Sequence, residues 1–171
     1  MRLRFAGVVP MYAWDTYIEG HGRMLGKILG LVTVANGQGD EFDIGELTTY
    51  VNDAVMLAPS LLLVPATTWS AGDDESFDIA FNDRGRTVRA RVFIDPHGAP
   101  RDFSTEDRFA ALSGDLRRTR WSTPVEGWRR ANGRSRPTHG MAVWHLPDGP
   151  FPYIEGRFND DSVAYNVTPG A

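Results

Sequence analysis

The chain of 171 residues has no cysteine. Disulfides, thiolate nucleophiles, zinc–thiolate centres and iron–sulfur clusters are therefore excluded. The compartment stays open, because an oxidising location permits disulfides without requiring them. Lysine is almost missing: of 18 basic residues, only Lys27 is not arginine. Positive charge is not in excess, the formal net charge being -4, so the chain as a whole is not drawn to nucleic acid, and any basic surface has to be local. No apolar run approaches the roughly 20 residues of a membrane-crossing helix. The opening MRLRFAGVVPMYAWD lacks an apolar stretch followed by a small-residue cleavage site, so no signal peptide is expected. These absences predict a soluble chain with no transmembrane segment, cytoplasmic as it reads. They leave a longer natural form free to be membrane-associated or to sit in the cell envelope.

What is present favours strands. Eighteen glycines and 11 prolines supply turns rather than long helices. No repeat, linker or low-complexity tract divides the chain, so a single domain over 1–171 is expected, with a frayed tail at 159–171. In MYAWDTYIEGHGRML, alternation puts Tyr12, Trp14, Thr16 and Ile18 on one face and Asp15, Tyr17, Glu19 and His21 on the other, with Gly20 and Gly22 marking a bulge or bend. MLGKILGLVTV reads as a buried, mostly apolar strand, and ANGQGDEF as a loop. One helix stands out. Asp43 and Glu46 have capping-box spacing. Leu47, Tyr50, Val51, Ala54, Val55 and Ala58 follow at helical intervals, with Thr48, Thr49, Asn52 and Asp53 opposite, and Pro59 ends the run.

Beyond Thr67 the pattern is β. Phe77, Ile79 and Phe81 alternate with Ser76, Asp78 and Ala80. After the turn NDRG, Val88, Ala90, Val92 and Ile94 point inward against Thr87, Arg89 and Arg91. Further strands are predicted at 100–105, 117–122, 126–131, 139–146 and 151–158. A single amphipathic helix among so many strands buries its stripe against them. The expected fold is mainly β (α+β): a strongly curved antiparallel half-barrel packed around one main helix.

Several motifs fail on inspection. GHGRMLGK lacks the glycine that G-x-G-x-x-G needs at Leu25 and the hydroxyl that a P-loop needs at Ile28. His139 and His145, six residues apart on one strand, lie about 20 Å apart and cannot share a metal. No metal site and no cofactor are expected. The segment 117–137 holds seven arginines, one glutamate and two tryptophans. Its alternation and its prolines read as a solvated sheet face, with Asp73, Asp74 and Glu75 as available counter-charges. Nucleic-acid binding is not favoured.

The row Asp15, Tyr17, Glu19 and His21, spaced roughly 6–7 Å along one strand face, is the best catalytic candidate by chemistry. It is weak, because a mixed polar strand face is commonplace. Trp14, Tyr50, Trp69 and Trp144 are candidate lining for an apolar cavity.

The phrases DTYIEGHGRMLGKILGLV, FDIGELTTYVNDAVMLAPSLLL, TTWSAGDDESFDIAFNDRGRTVRARVFIDPHGAPRDF, STEDRF and WHLPDGPFPYIEGRF together resemble a bacterial family catalogued only as a domain of unknown function, over roughly 12–158. That resemblance implies no catalytic residues. Its relatives often carry further N-terminal sequence, which would make this chain a shortened member. At the level of fold, the order of strands, helix and long antiparallel run is similar to the half-barrel of lipoprotein-carrier domains, which implies an acyl chain held between sheet and helix. The expectation is a noncatalytic binding module for an apolar or lipid-like ligand between curved sheet and helix. The alternatives are an enzyme using the Asp15 row and an interaction protein using the arginine-rich 117–136 face. The oligomeric state is left open.

Overall fold

A computed structural model of the protein describes residues 2–5, 9–112, 114–131 and 133–158. The tail at 159–171 lies outside them. The chain starts with a four-stranded antiparallel meander: β1 (Arg2–Phe5), β2 (Val9–Ile18), β3 (His21–Ile28) and β4 (Val32–Gln38). Helix α1 (Asp40–Leu57) and a short 3-10 turn (Pro59–Leu62) follow. Strands β5 (Thr67–Ala71), β6 (Ser76–Asp83), β7 (Arg86–Ile94) and β8 (Pro100–Thr105) then begin the large sheet. The hairpin of β9 (Phe109–Leu112) and β10 (Asp115–Arg118) stands apart from it, and β11 (Trp121–Ser122) and β12 (Val125–Glu126) return to it. A second small hairpin, β13 (Arg129–Ala131) and β14 (Arg134–Arg136), precedes β15 (His139–Leu146) and β16 (Gly149–Arg157), which complete the sheet. Its order is β5-β6-β7-β8-β11-β15-β16, with β12 continuing the line of β11 along β15.

The fold is mainly β with antiparallel pairing and one main helix, as the sequence predicts. The difference is that a second sheet covers the helix: α1 touches β2, β3 and β4 on one side and β7, β8 and β9 on the other. Towards the large sheet, Leu47, Val51, Ala54 and Val55 pack with Ile79, Phe81, Val88, Val92 and Phe103, and this space is filled by side chains. Register shifts at Phe93/Ile94 and Ala142/Val143 bend that sheet. Because α1 is covered twice, Thr48 and Asn52 are buried, contrary to the exposed face predicted for them. Thr48 Oγ1 lies 2.9 Å from both the Ile44 and Asp107 carbonyl oxygens, and Thr123 donates to Asn52 Oδ1.

The capping box does not form. The helix starts earlier, at Asp40, behind Gly39, and no side chain caps it. Asp43 instead accepts the Gly22 N–H at 2.7 Å and pairs with Arg86 at 2.7 Å. Gly22 permits this approach: a Cβ there would lie 2.1 Å from the Phe42 carbonyl oxygen.

The run predicted as one buried strand with a loop after it is a hairpin. The chain turns at Leu29 and Gly30, both at positive φ, and pairs back from Val32 to Gln38. The predicted strand at 117–122 is split between β10 and β11, and the one at 126–131 between β12 and β13. Within the arginine-rich segment Arg117, Arg118 and Arg120 are exposed but Arg136 is buried. The proposed counter-charges lie elsewhere: Glu75 pairs with Arg101 at 2.8 Å, and Asp73 accepts from Ser76 and from the Glu75 N–H.

Candidate functional site

Alternation along β2 gives the meander two unlike faces. The outer face carries Tyr12, Trp14 and Thr16, opposite Lys27, Leu25 and Arg23 on β3. Trp14, Thr16, Arg23, Leu25 and Lys27 line a shallow hollow of about 360 Å3. Trp14 is 45% exposed and stacks on Tyr12 at 6.1 Å. Arg23 donates twice to Asn36 Oδ1, at 3.2 and 3.1 Å. Among the described residues neither Arg23 nor Lys27 has a carboxylate within ion-pair distance. Towards the β3–β4 turn the helix-side face is apolar: Met11, Ile28 and Val32 share the parity of helix-facing Ala13, and Val32 is exposed, while Lys27 and Thr33 hold the outer face. At the turn itself Leu29 is 58% and Leu31 83% exposed. Neither observation fits the buried strand expected here.

The catalytic row does not hold together. A turn at Glu19 and Gly20 ends the strand after Ile18, so Glu19 is an exposed turn residue and His21 starts the next strand. The Tyr17 hydroxyl donates to Asp83 at 2.7 Å, and burial, followed by that bond, pushes its phenol well above the usual range. His21 Nδ1 lies 3.7 Å from Asp43. Asp43 is closed on by Arg86, which also holds Asp40 at 3.0 Å. This group clamps the meander, the start of the helix and the β6–β7 hairpin together. Its donors and acceptors are engaged with one another.

Asp15 belongs to a different cluster, on the inner face of β2. Helix residues Glu46 and Asp53, two turns apart on one side of α1, and Arg108 are its charged neighbours. Arg108 sits in the β8–β9 loop. That loop is held by Thr48 at the Asp107 carbonyl, by the Asp107 N–H to Thr105, and by Asp107 accepting the Arg89 N–H at 2.7 Å. The Arg108 guanidinium lies 4.3 Å from the Trp121 ring centre and 5.8 Å from that of Trp144. Tyr153 stacks on Trp144 at 5.8 Å and accepts the Trp121 indole N–H at 3.1 Å.

Burial raises the carboxyl pKa values here. Glu46, 4% exposed, is pushed up to about 7 by burial and by Asp15, with Arg108 opposing. Asp15 and Asp53 are raised as well, by burial first.

The four predicted ligand residues are thus dispersed. Trp14 is on the outer hollow, Tyr50 meets Phe81 at 5.7 Å, Trp69 meets Phe77 at 5.7 Å, and Trp144 joins the Arg108 cluster. Sequence reasoning missed Glu46, Asp53, Arg108 and Tyr153. The i, i+7 spacing of Glu46 and Asp53 is the signal the sequence carries, since it puts both carboxylates on one side of a helix.

A model of a family of unknown function, DUF6544, matches residues 1–156. The chain belongs to DUF6544. No curated protein and no solved structure matches it. Membership in DUF6544 supplies no activity, so the reading below rests on the geometry. Among the described residues no helix is long and apolar enough to cross a membrane.

Proposed function

We propose that this DUF6544 protein is a noncatalytic binding module for an apolar, lipid-like ligand with an anionic head. The ligand contacts the turn end of the meander rather than the space between helix and large sheet, which side chains already fill. The observation that carries this reading is a hairpin end that exposes Leu29, Leu31 and Val32 together, standing beside two cations that have no acidic partner among the described residues. Neighbouring exposed apolar side chains of this kind mark contact sites. Transfer of Leu29, Leu31 and Val32 out of water would contribute about 1.5–3 kcal/mol each. Arg23 and Lys27 would meet the head group at the level of Trp14, the amphipathic ring suited to that boundary.

The test is flotation with vesicles of phosphatidylglycerol and phosphatidylcholine, with lysophosphatidylglycerol as a soluble probe. The native chain floats, Leu29→Ser/Leu31→Ser stays at the bottom, and Arg23→Gln/Lys27→Gln floats less, with its remaining binding insensitive to salt. A native chain that neither floats nor gains thermal stability with the lysolipid ends the reading.

A further inference from the structure

The face of the large sheet turned away from α1 holds a second hollow, of about 680 Å3, which shares no residue with the one at Trp14. That volume falls within the range of small-molecule sites, roughly 300–1,000 Å3. Its floor follows from strand register. Thr68, Ala80 and Arg89 stand side by side across β5, β6 and β7, and Ser70, Asp78, Arg91 and Ser104 form the next row. Ala80 is the small member of its row, so Thr68 and Arg89 stand on either side of a gap of two strand spacings, roughly 10 Å. Glu106, Asp107 and Arg118 close one side.

Three arginines line this hollow, and one of them is left open. Arg91 pairs twice with Asp78, at 2.7 and 2.9 Å, and Arg118 pairs with Asp107 at 3.2 Å. The Arg89 guanidinium has no partner among the described residues. Its backbone is nevertheless held at both ends: Asp107 accepts the N–H at 2.7 Å and Thr105 donates to the carbonyl at 2.6 Å. The hydroxyls of Thr68 and Ser70 are likewise without partners among the described residues. Ser104 accepts from Arg120 at 3.1 Å, which leaves its O–H free to donate. Among the described residues, the one lining carboxylate outside an ion pair is that of Glu106. No aromatic side chain lines the hollow, so a nucleobase finds no stacking platform.

We propose that this hollow binds the phosphate monoester of a small polyol. The phosphate lies on Arg89, whose planar fork suits two phosphate oxygens, and Thr68 and Ser70 donate to the same group. A phosphate alone would leave most of the volume empty. The polyol occupies the rest, with Ser104 and Glu106 as donor and acceptor for its hydroxyls. The two closed ion pairs neutralise the remaining lining charges, and Glu106 repels a second anionic group at its end, which favours a monophosphate over a bisphosphate.

Calorimetry with glucose 6-phosphate, ribose 5-phosphate and glycerol 3-phosphate, against inorganic phosphate and glucose as controls, reads the site directly. At least one ester binds tenfold or more tightly than both controls. Arg89→Gln weakens that binding at least tenfold; the side chain is exposed and its backbone contacts remain. Ala80→Leu fills the floor and leaves every charge in place. It also weakens binding at least tenfold, which separates a shaped site from general attraction to arginine. Circular dichroism checks the fold of both variants, and Thr68→Val, with a several-fold loss, replaces Ala80→Leu if that variant does not fold. Leu29→Ser/Leu31→Ser leaves ester binding unchanged, and Arg89→Gln leaves vesicle flotation unchanged, so the two sites are read separately. Failure of all three esters to bind, affinity for inorganic phosphate equal to that for the esters, or binding that survives Arg89→Gln or Ala80→Leu overturns the proposal.

Discussion

Two hairpins in this protein both turn through a pair of residues at positive φ, yet they distribute their apolar residues in opposite ways. The β6–β7 hairpin turns at Arg84 and Gly85, both at positive φ, and the β3–β4 hairpin turns at Leu29 and Gly30, also both at positive φ. In the first, Ile79, Phe81, Val88, Ala90 and Val92 are buried, while Asp78 pairs with Arg91 on the far side at 2.7 Å. The turn residue is charged and exposed. In the second, apolar residues occupy the helix-side face and the turn, and Leu31 is among the most exposed side chains described. The first hairpin has one dry face and one wet face, which is what a two-layer fold requires of a strand pair. The second has more apolar surface than the described residues cover. Stability is therefore concentrated in the large sheet and its helix, and the meander's far end is left exposed.

The sharpest way to break this comparison is to truncate one large side chain in each region. Phe103, buried on β8 and set edge-on to Trp121 at 6.3 Å, belongs to the core. Phe103→Ala is expected to cost about 3–5 kcal/mol. Leu31→Ala is expected to change stability by no more than about 0.5 kcal/mol. Urea unfolding of the two variants decides it, and comparable losses would mean that the hairpin end is packed in solution.

How much of this could be read from the residues depended on what each strand faces. In β6 and β7 the apolar residues alternate because one face meets α1 and the other meets water, so Ile79, Phe81, Val88, Ala90 and Val92 are legible as the inward set, although Ser76 is buried as well. The stripe from Leu47 to Val55 was legible for the same reason. In GKILGLVTV apolar residues run together without alternation, and such a run reads as a strand buried on both sides. Whether a layer covers it depends on the rest of the fold, which no local pattern carries. The Asp43–Glu46 pair misled for a related reason. Its spacing suits a capping box, but Asp43 is drawn to Gly22 and Arg86, and Glu46 to the Asp15 cluster, by neighbours 20 or more positions away in the chain.

The meander's inner face gives the second contrast, because it buries charge where the large sheet buries hydrocarbon. Glu46 is raised from 4.5 to about 7. A carboxyl raised in the folded state adds no penalty below pH 4.5, where it is protonated in both states. Its penalty grows as pH rises through the window from 4.5 to about 7 and is complete above it. The shift corresponds to roughly 3 kcal/mol of destabilisation at pH 8. Glu46→Gln removes the ionisation, so the variant should be more stable than the native chain at pH 8 by an amount approaching that figure. The difference should shrink to near zero, or reverse, at pH 4. Thermal melts at the two pH values measure it. A difference independent of pH would show that Glu46 is not ionising against burial.

A smaller effect than that of Glu46 bears most directly on why the two hairpins differ. Leu29 has φ 53°, a region where a bulky side chain meets the following carbonyl. It spends more than half of its surface in water as well. Both features count against leucine for folding alone. Asparagine tolerates that backbone conformation and prefers water, so Leu29→Asn should stabilise the free protein by about 0.5–1 kcal/mol. The same change removes one of the apolar groups at the proposed contact and should weaken flotation with anionic vesicles several-fold. A rise in melting temperature together with a loss of vesicle binding would mean that leucine is kept at this turn for contact, at a cost to stability. A fall in melting temperature would mean that Leu29 packs against the protein after all, and the two hairpins would then differ only in composition.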